Sequence, residues 1–261
     1  MLSTAPAALA SGTAAPSTLA ADFRRDGCAG PFRAFDDAEC ARLRSVYCAS
    51  AGVDPAAWGP ATSKLSAWHH HERWAYELAT APTILDRIEQ ILGPDLVLWA
   101  MFAWYKEPRT GKRIPWHQDA SYWPLEPKLN VTAWLALDHC DPENGCLRVI
   151  PGTHRSEIGH VAVDDATSWF NKGADPAAVD ERQARDLVLQ PGEFVLFNEG
   201  TLHGSQPNRS ARPRLALSLR YTTPEVRLHG DQWGDDRVRA FQVRGHDRFG
   251  YNDAWRGTPP T

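Results

Sequence analysis

The stretch Ile114-Pro-Trp-His-Gln-Asp-Ala-Ser-Tyr-Trp-Pro124 places an imidazole and a carboxylate two residues apart, at His117 and Asp119, in apolar and aromatic surroundings. Residues i and i+2 of a strand point to the same face, so the two side chains are predicted to converge. A further imidazole, His203, lies far downstream. Two imidazoles and one carboxylate on one side of a metal form the ligand set of non-haem Fe(II) oxygenases. Taken alone, the pair is more often a hydrogen bond in a core strand, and that alternative stays open.

Short apolar or alternating segments, separated by turn residues, make up most of the sequence between residues 95 and 222. Many short strands at regular spacing favour a β-sandwich or barrel. The predicted strands are 96–105, the segment around His117 and Asp119, 130–137, 146–150, 187–189, 193–198 and 214–222. We therefore predict a mainly-β core.

Helical patterns are confined to the N-terminal part of the chain. Asp36 followed by Glu39 is typical of a helix start, where the first side chain caps the first turn. A second helix is predicted to begin near Pro82 and to end at Gly93-Pro94. The sequence thus predicts helices packed against the outside of the β core.

Composition divides the 261 residues into a tail and one domain. Residues 1–20 are rich in Ala, Ser, Thr and Pro, and we expect a disordered tail there. Residues 21–261 are expected to form one domain, since β-barrels and sandwiches often reach this length. Within it, residues 156–186 show no strand pattern and are predicted to be a lid-like insertion. The charged segment 227–261 receives no structural prediction.

Charge and cysteine content narrow the class of protein. A net charge of -4 gives no reason to expect nucleic acid, which selects a basic face. No apolar run reaches the roughly 18 residues of a membrane span, so no membrane association is expected. The five cysteines form no close pair, which favours free thiols in a reducing compartment. Since the tail lacks the features of a secretory signal, we predict a cytoplasmic protein.

Six motifs, taken together, resemble the phytanoyl-CoA dioxygenase family of Fe(II)/2-oxoglutarate oxygenases. They fall within residues 96–222, about half of the chain, in the order of the family. The motifs are Trp116-His-Gln-Asp119, Asn130-Val-Thr-Ala-Trp-Leu-Ala-Leu-Asp138, Glu143-Asn-Gly-Cys-Leu-Arg-Val-Ile-Pro-Gly-Thr-His154, Gln190-Pro-Gly-Glu193, His203-Gly-Ser205 and Arg214. Each motif is weak evidence alone, whereas the ordered combination is specific.

The resemblance implies a double-stranded β-helix, a jelly-roll variant, in which His117, Asp119 and His203 bind Fe(II) at the open end. Such enzymes consume O2 and 2-oxoglutarate, release succinate and CO2, and oxidise a C–H bond of a small molecule. Hydroxylation is the expected outcome, with desaturation or ring closure as alternatives, in a tailoring step of secondary metabolism. Related halogenases lack the carboxylate ligand, so the presence of Asp119 argues against halogenation.

The resemblance also implies a site for the cosubstrate. Arg214 and Ser205 match the positions that hold the far carboxylate of 2-oxoglutarate, and a guanidinium suits this task because it donates two parallel hydrogen bonds. Trp134 matches a strand position that often lies beside the cosubstrate, although a core Trp is equally compatible. Lys106 could approach the other end of the cosubstrate, but a surface position is the preferred interpretation, and Arg220 is expected to be a solvated surface charge.

The substrate is predicted only as a class. Four aromatic residues could form walls for a sugar-like, cationic or ring-bearing molecule: Tyr122, Trp123, Trp169 and Phe170. One residue of His69-His-His71 could contact substrate, but consecutive residues share no face, which disfavours a second metal site. The alternatives to an oxygenase are a non-oxidative metal-binding cupin, acting as isomerase or hydrolase, and a small-molecule binding protein.

Overall fold

The computed structural model describes residues 18–52, 67–109, 112–123, 125–233 and 238–261. Its helices are α1 (Leu19–Asp26), α2 (Asp37–Ala51), α3 (Trp68–His71), α4 (Arg73–Ala79) and α5 (Pro82–Leu92). Its strands are β1 (Cys28–Arg33), β2 (Leu96–Lys106), β3 (Ile114–His117), β4 (Leu125–Glu126), β5 (Val131–Ala136), β6 (Arg148–Ile150), β7 (His160–Ala162), β8 (Lys172–Ala174), β9 (Arg185–Asp186), β10 (Glu193–Asn198), β11 (Leu202–Ser205), β12 (Arg214–Thr222), β13 (Arg227–Leu228) and β14 (Phe241–Arg244).

Two antiparallel sheets carry the fold. The larger sheet has the strand order β1-β10-β5-β12-β2-β14, and the smaller one has the order β3-β11-β6-β9. Neighbours in each order are mostly far apart along the chain, so the sheets are built from long crossovers rather than consecutive hairpins. The prediction of a mainly-β core with N-terminal helices is confirmed.

Strand β12 separates the two faces of the larger sheet by simple alternation. Its odd-numbered residues Leu215, Leu217, Leu219 and Tyr221 belong to the hydrophobic core shared with α2 and α5. Its even-numbered residues Arg214, Ser218 and Arg220 line a cavity between the two sheets. The polar face of this strand is therefore turned toward the interior, where polar groups need partners.

The two predicted helices form where their start and stop signals place them. The Asp36 carboxylate accepts a hydrogen bond from the Glu39 backbone N–H at 2.8 Å, which satisfies one free donor at the start of α2. Helix α5 begins at Pro82, buries Ile84 and Ile88, and gives way to Gly93. These helices cover the apolar side of the larger sheet and leave its polar side to the cavity.

Two of the predicted strands differ in the structure. The strand predicted to contain both His117 and Asp119 ends at His117, because Asp119 opens a 3-10 turn closed by the Tyr122 N–H at 2.9 Å. The strand predicted at 187–189 lies earlier, at Arg185–Asp186. Beyond it, the Leu187 N–H donates to the Leu147 carbonyl oxygen, and Leu189 exchanges two hydrogen bonds with Cys140, while Val188 is exposed. The apolar run therefore makes isolated pairings and no continuous strand.

The insertion at 156–186 also contains strands, contrary to the sequence prediction. Strands β7 and β8 pair with each other, and β9 joins the smaller sheet. The β7–β8 pair is short, and its strands, His160–Ala162 and Lys172–Ala174, lack the apolar alternation that identifies a strand in sequence. A role of this insertion as a lid remains a prediction.

The chain ends differ in how far they can be described. Residues 1–17 of the predicted disordered tail lie outside the described residues, whereas Leu19 and Ala20 already belong to α1. The segment 227–261 contributes β13, paired with β4, and β14, which borders β2. In the part of the chain that the structure describes, no helix has the length and apolar character to pass through a bilayer.

Candidate metal centre and its cavity

Three side chains of ligand type meet at the end of the smaller sheet. His117 and His203 lie opposite each other on β3 and β11, with ring centres 4.1 Å apart. The two oxygens of Asp119 lie 3.6 Å from His117 Nε2 and 3.7 Å from His203 Nε2. The three potential ligand atoms all lie within 4.8 Å of one another, and the side chains are buried. A single metal ion would therefore be within reach of all three.

Strand pairing and one tight turn bring these groups together. A Cβ atom at Gly204 would lie only 2.9 Å from the Ile114 carbonyl oxygen, so glycine allows β11 to approach β3 this closely. The turn that begins at Asp119 is held by the Ala120 N–H, which donates to the Glu199 carbonyl oxygen at 2.9 Å. The convergence predicted from residues i and i+2 is correct, although it arises from a turn and not from one continuous strand.

The imidazole rings are oriented for metal binding. His117 Nδ1 lies 2.9 Å from the Pro115 carbonyl oxygen, and His203 Nδ1 lies 2.9 Å from that of Thr201. A carbonyl oxygen can only accept, so both Nδ1 atoms carry the proton and donate it. Each Nε2 atom therefore keeps a free lone pair on the side of Asp119. Metal-binding histidines have the same tautomer, because a hydrogen bond from the other ring nitrogen fixes it.

The charge states of the triad also suit a metal. Burial and the neighbouring His117 lower the pKa of His203 to about 3, so its ring is neutral near pH 7. Burial tends to raise the pKa of Asp119, but His203 and Arg220 outweigh this effect and lower the pKa to about 2. Neutral imidazole and ionised carboxylate are the forms that coordinate metals. The donor set of two nitrogens and one oxygen fits Fe(II) with several positions left open.

A cavity adjoins the triad between the two sheets. Trp134, Ser205 and Arg214, the three residues predicted for the cosubstrate, all line it. The sequence-predicted metal and cosubstrate residues are thus collected around one space, although they come from β3, β5, β11, β12 and the turn after β3.

Arg214 and Ser205 are buried polar groups that have no charged partner in the described ranges of the chain. The Arg214 guanidinium is 1% exposed and donates one hydrogen bond, to the Trp104 carbonyl oxygen at 3.3 Å. Among the described residues, neither Arg214 Nε nor Ser205 Oγ has a hydrogen-bond partner. Trp134 flanks the same group, with its ring 5.4 Å from the guanidinium carbon. A buried cation without a counter-charge is unfavourable, so this end of the cavity fits a carboxylate.

Two cations that the sequence analysis assigned to the surface are buried instead. Lys106 pairs in register with Arg214, is 2% exposed, and donates to the Gln206 carbonyl oxygen. Burial and the charge of Arg214 lower the pKa of Lys106 to about 6. Arg220 is buried beside Asp119, with 3.9 Å between guanidinium nitrogen and carboxylate oxygen. The sequence does contain a signal for Arg220: in the alternating stretch Arg214-Leu-Ala-Leu-Ser-Leu-Arg220, it falls on the same face as Arg214.

The four aromatic residues predicted for the substrate fall into two groups. Phe170 and Tyr122 stand edge-on to the His117 ring, at 5.0 and 5.7 Å between ring centres. Trp169 packs near Trp104, at 6.5 Å, beside the same cavity. Trp123 is instead buried against Arg220, 4.2 Å from its guanidinium carbon. A cationic ligand on the exposed face of Trp123 is disfavoured by this contact, and substrate binding by the other three stays a prediction.

The histidine run belongs elsewhere in the molecule. His69 is fully buried in α3, with its ring 5.3 Å from that of Phe241, and His70 lies near the same ring. None of the three residues lines the cavity at the triad, so the suggested substrate contact is not supported.

Comparison with known proteins gives consistent relatives. The model of the family described as phytanoyl-CoA dioxygenase (PhyH) matches residues 23–216. The peroxisomal phytanoyl-CoA dioxygenase of Bos taurus is 34% identical over 158 residues, which cover 56% of this chain and 45% of that protein. The chain thus spans about half the length of the curated relatives it matches.

Solved structures extend the likeness over most of the chain. The non-heme monooxygenase ThoJ superposes with a TM-score of 0.77 at 26% identity, covering 93% of this chain and 88% of that one. EvdO2 from Micromonospora carbonacea var. aurantiaca, solved in complex with 2-oxoglutarate, gives a TM-score of 0.60 at 27% identity, covering 77% and 88%. These likenesses confirm the predicted jelly-roll fold. With its motifs in order, its triad assembled and its family match extending over most of its length, the chain belongs to the phytanoyl-CoA dioxygenase family.

Proposed function

We propose that the protein is an Fe(II)/2-oxoglutarate-dependent dioxygenase that oxidises a small-molecule metabolite. The observation that carries the proposal is the presence, in one cavity, of a buried His/Asp/His triad and a buried Arg214 without a counter-charge among the described residues. A metal site alone would serve many functions, whereas an unpaired guanidinium at the far end of the same cavity requires an anion. A dicarboxylate with a keto acid at one end satisfies both requirements.

Each residue would have a separate task. His117 and His203 would present Nε2 and Asp119 one oxygen, leaving the remaining positions of the ion open. Arg214 and Ser205 would receive the far carboxylate of 2-oxoglutarate and so direct its keto acid toward the metal. When bound, Fe(II) with 2-oxoglutarate and O2 supplies the power to oxidise a C–H bond, with release of succinate and CO2. The buried walls of the cavity keep bulk water from the reacting groups.

We further propose hydroxylation as the outcome, with desaturation or ring closure if the substrate is placed differently, in a step of secondary metabolism. The carboxylate of Asp119 occupies the position that a halide would need, which disfavours halogenation. Phe170 and Tyr122 approach His117 from the insertion and from the turn after β3, which supports a lid over the substrate. The cytoplasm remains the proposed location, and imaging of the tagged full chain would test it.

The experiment uses purified full-length protein. Under anaerobic conditions, Fe(II) and 2-oxoglutarate together should produce a visible charge-transfer band, and O2 should then convert 2-oxoglutarate to succinate. His203→Ala should abolish the band, whereas the exposed His246→Ala should leave it unchanged. Retained metal binding with no band and no succinate would favour the non-oxidative cupin, which has no use for the Arg214 and Ser205 anchor.

A further inference from the structure

Arg220 is a second buried guanidinium in the cavity, held in a cage of aromatic rings. Its side chain lines the cavity and only 5% of the residue is exposed. The guanidinium carbon lies 4.4 Å from the centre of the Phe102 ring and 4.2 Å from that of Trp123. Both contacts are cation–π contacts, which restrict the movement of the guanidinium but do not accept its N–H donors in its own plane.

Those donors have no acceptor in the described part of the chain. Arg220 makes no hydrogen bond there, and its Nε atom is buried without a partner. Among the described residues, the acid that pairs with Arg220 is Asp119, at 3.9 Å, which is longer than a hydrogen bond and whose oxygen the metal would share. A guanidinium carries five N–H donors, and a buried donor without a partner, such as Arg220 Nε, is costly. A bound anion would satisfy these donors.

The site is distinct from the place proposed for 2-oxoglutarate. Arg214 and Arg220 lie on the same face of β12, six residues apart, which corresponds to about 20 Å along a strand. The triad lies at the Arg220 end. A cosubstrate that extends from the metal toward Arg214 would therefore leave the Arg220 guanidinium to another ligand.

The balance of charge leads to the same conclusion. Of the described residues that line the cavity, those charged near pH 7 are Asp119, Arg214 and Arg220. Adding a divalent ion and the 2-oxoglutarate dianion leaves an excess of one positive charge. Buried charge is strongly disfavoured without compensation, so the complete complex needs one more negative group.

We propose that Arg220 binds a carboxylate of the primary substrate, and that the substrate is an acidic small molecule oxidised within a few bonds of that carboxylate. This inference rests on the proposed function, since it takes the metal and 2-oxoglutarate as occupants of the rest of the cavity. The short distance from Arg220 to Asp119 sets the position of oxidation, because an acid held at Arg220 brings only its nearest carbons to the metal.

The test compares acids with matched uncharged analogues. Phenylpropanoate, phenylbutanoate and cyclohexanecarboxylate, each with its primary amide, are titrated anaerobically into the Fe(II)/2-oxoglutarate complex while its visible band is followed. At least one acid should perturb the band and bind roughly tenfold to hundredfold more tightly than its amide, the range expected for a buried charge-assisted pair. If no acid binds better than its amide, the proposal is overturned.

Two variants assign the effect to the residue. Arg220→Gln should remove the preference for the acid while the affinity for 2-oxoglutarate changes by less than about threefold, and Arg220→Lys should keep part of the preference because the charge remains. Should Arg220→Gln instead weaken 2-oxoglutarate as strongly as Arg214→Gln does, Arg220 would be a cosubstrate residue and the inference would be wrong. The band and the melting temperature without acid check that each variant is folded. An absent band in the wild-type protein would contradict the proposed function itself, which separates the two failures.

Discussion

The two ends of the cavity carry the same side chain in opposite settings. At one end Arg214 faces Ser205 and Trp134, with Lys106 beside it and no acid paired with it among the described residues. At the other end Arg220 contacts the rings of Phe102 and Trp123 and lies 3.9 Å from Asp119 of the triad. Strand β12 supplies both residues on one face, so the difference comes entirely from what the neighbouring elements place opposite.

This difference indicates how one strand can serve two ligands. The Arg214 end has no acidic partner among the described residues, and Lys106 beside it can take up a proton, which suits a dicarboxylate cosubstrate. At the Arg220 end, the Asp119 carboxylate compensates part of the guanidinium charge, and one added anion would complete the proposed complex with metal and cosubstrate. We expect perturbations at the two ends to affect different binding steps.

The largest effect should come from the triad, on which both ends depend. Loss of a residue that merely supports a metal ligand costs roughly 10- to 100-fold in affinity, so His203→Ala should lower 2-oxoglutarate turnover by more than ~1000-fold. Metal content after dialysis and succinate release measure the effect, with the exposed His246→Ala as control. Full metal content and turnover in His203→Ala would remove the basis for comparing the two ends.

The next effect separates the ends directly. Arg214→Gln removes the charged partner of a buried carboxylate and should weaken 2-oxoglutarate binding by ~100-fold or more, equivalent to about 3 kcal/mol, while metal affinity stays within a factor of about two. Arg214→Lys should recover part of the loss because the charge is retained without the planar fork. Titration of the visible band with 2-oxoglutarate gives both constants. Equal weakening by Arg214→Gln and Arg220→Gln would mean that the two ends bind one ligand.

The Arg214 end was predictable from sequence and the Arg220 end was not. Ser205 and Arg214 follow His203 at the spacing of a known family, so a resemblance was enough to find them. Alternation along β12 places Arg220 on the same face as Arg214, but it does not reveal that this face is buried. The partners that bury it, Phe102 and Trp123, come from β2 and from beyond the turn, and no local pattern links them.

The fold shows the same division between local and distant information. Strands such as β12 and helices such as α5 were predicted because period and boundary residues are local signals. The turn at Asp119 was missed because it depends on the contact of Ala120 with Glu199, which is distant in sequence. The β7–β8 pair was missed because its two strands have three residues each and no apolar period.

A smaller effect, on the stability of the fold, is expected from Glu199, which is linked by hydrogen bonds to the aromatic residues around Arg220. The Glu199 carboxylate accepts from the Asn130 N–H at 2.9 Å, and Asn130 Oδ1 accepts from Trp99, which packs edge-on to Trp123. Burial raises the pKa of Glu199 from 4.5 to about 7. Below pH 4.5 the group is protonated in both states, and as pH rises toward 7 only the unfolded state releases the proton. Glu199 therefore stabilises the fold at low pH and loses that contribution as pH rises through about 7.

Glu199→Gln tests this sign, because the amide keeps an acceptor for Asn130 but does not titrate. The free energy of unfolding of the wild-type protein, relative to the variant, should fall by on the order of 2 to 3 kcal/mol between pH 4.5 and pH 8. Denaturant unfolding at several pH values measures the difference. A constant difference across this range would mean that Glu199 is already ionised in the folded protein.

The smallest effect should appear at the Arg214 end, as protons exchanged on binding. With a pKa of about 6, Lys106 is mostly neutral at pH 7.5 beside the positive Arg214. A carboxylate bound there would favour the ammonium form and raise this pKa, so 2-oxoglutarate binding should take up a fraction of a proton and weaken as pH rises above 6. Calorimetry in two buffers of different ionisation enthalpy counts the protons, and the uptake should be absent in Lys106→Met.

Acid binding at the Arg220 end should show no such dependence on Lys106, because the two groups lie at opposite ends of the cavity. Equal proton uptake in the wild-type protein and in Lys106→Met would assign the proton to another group and remove this distinction between the ends.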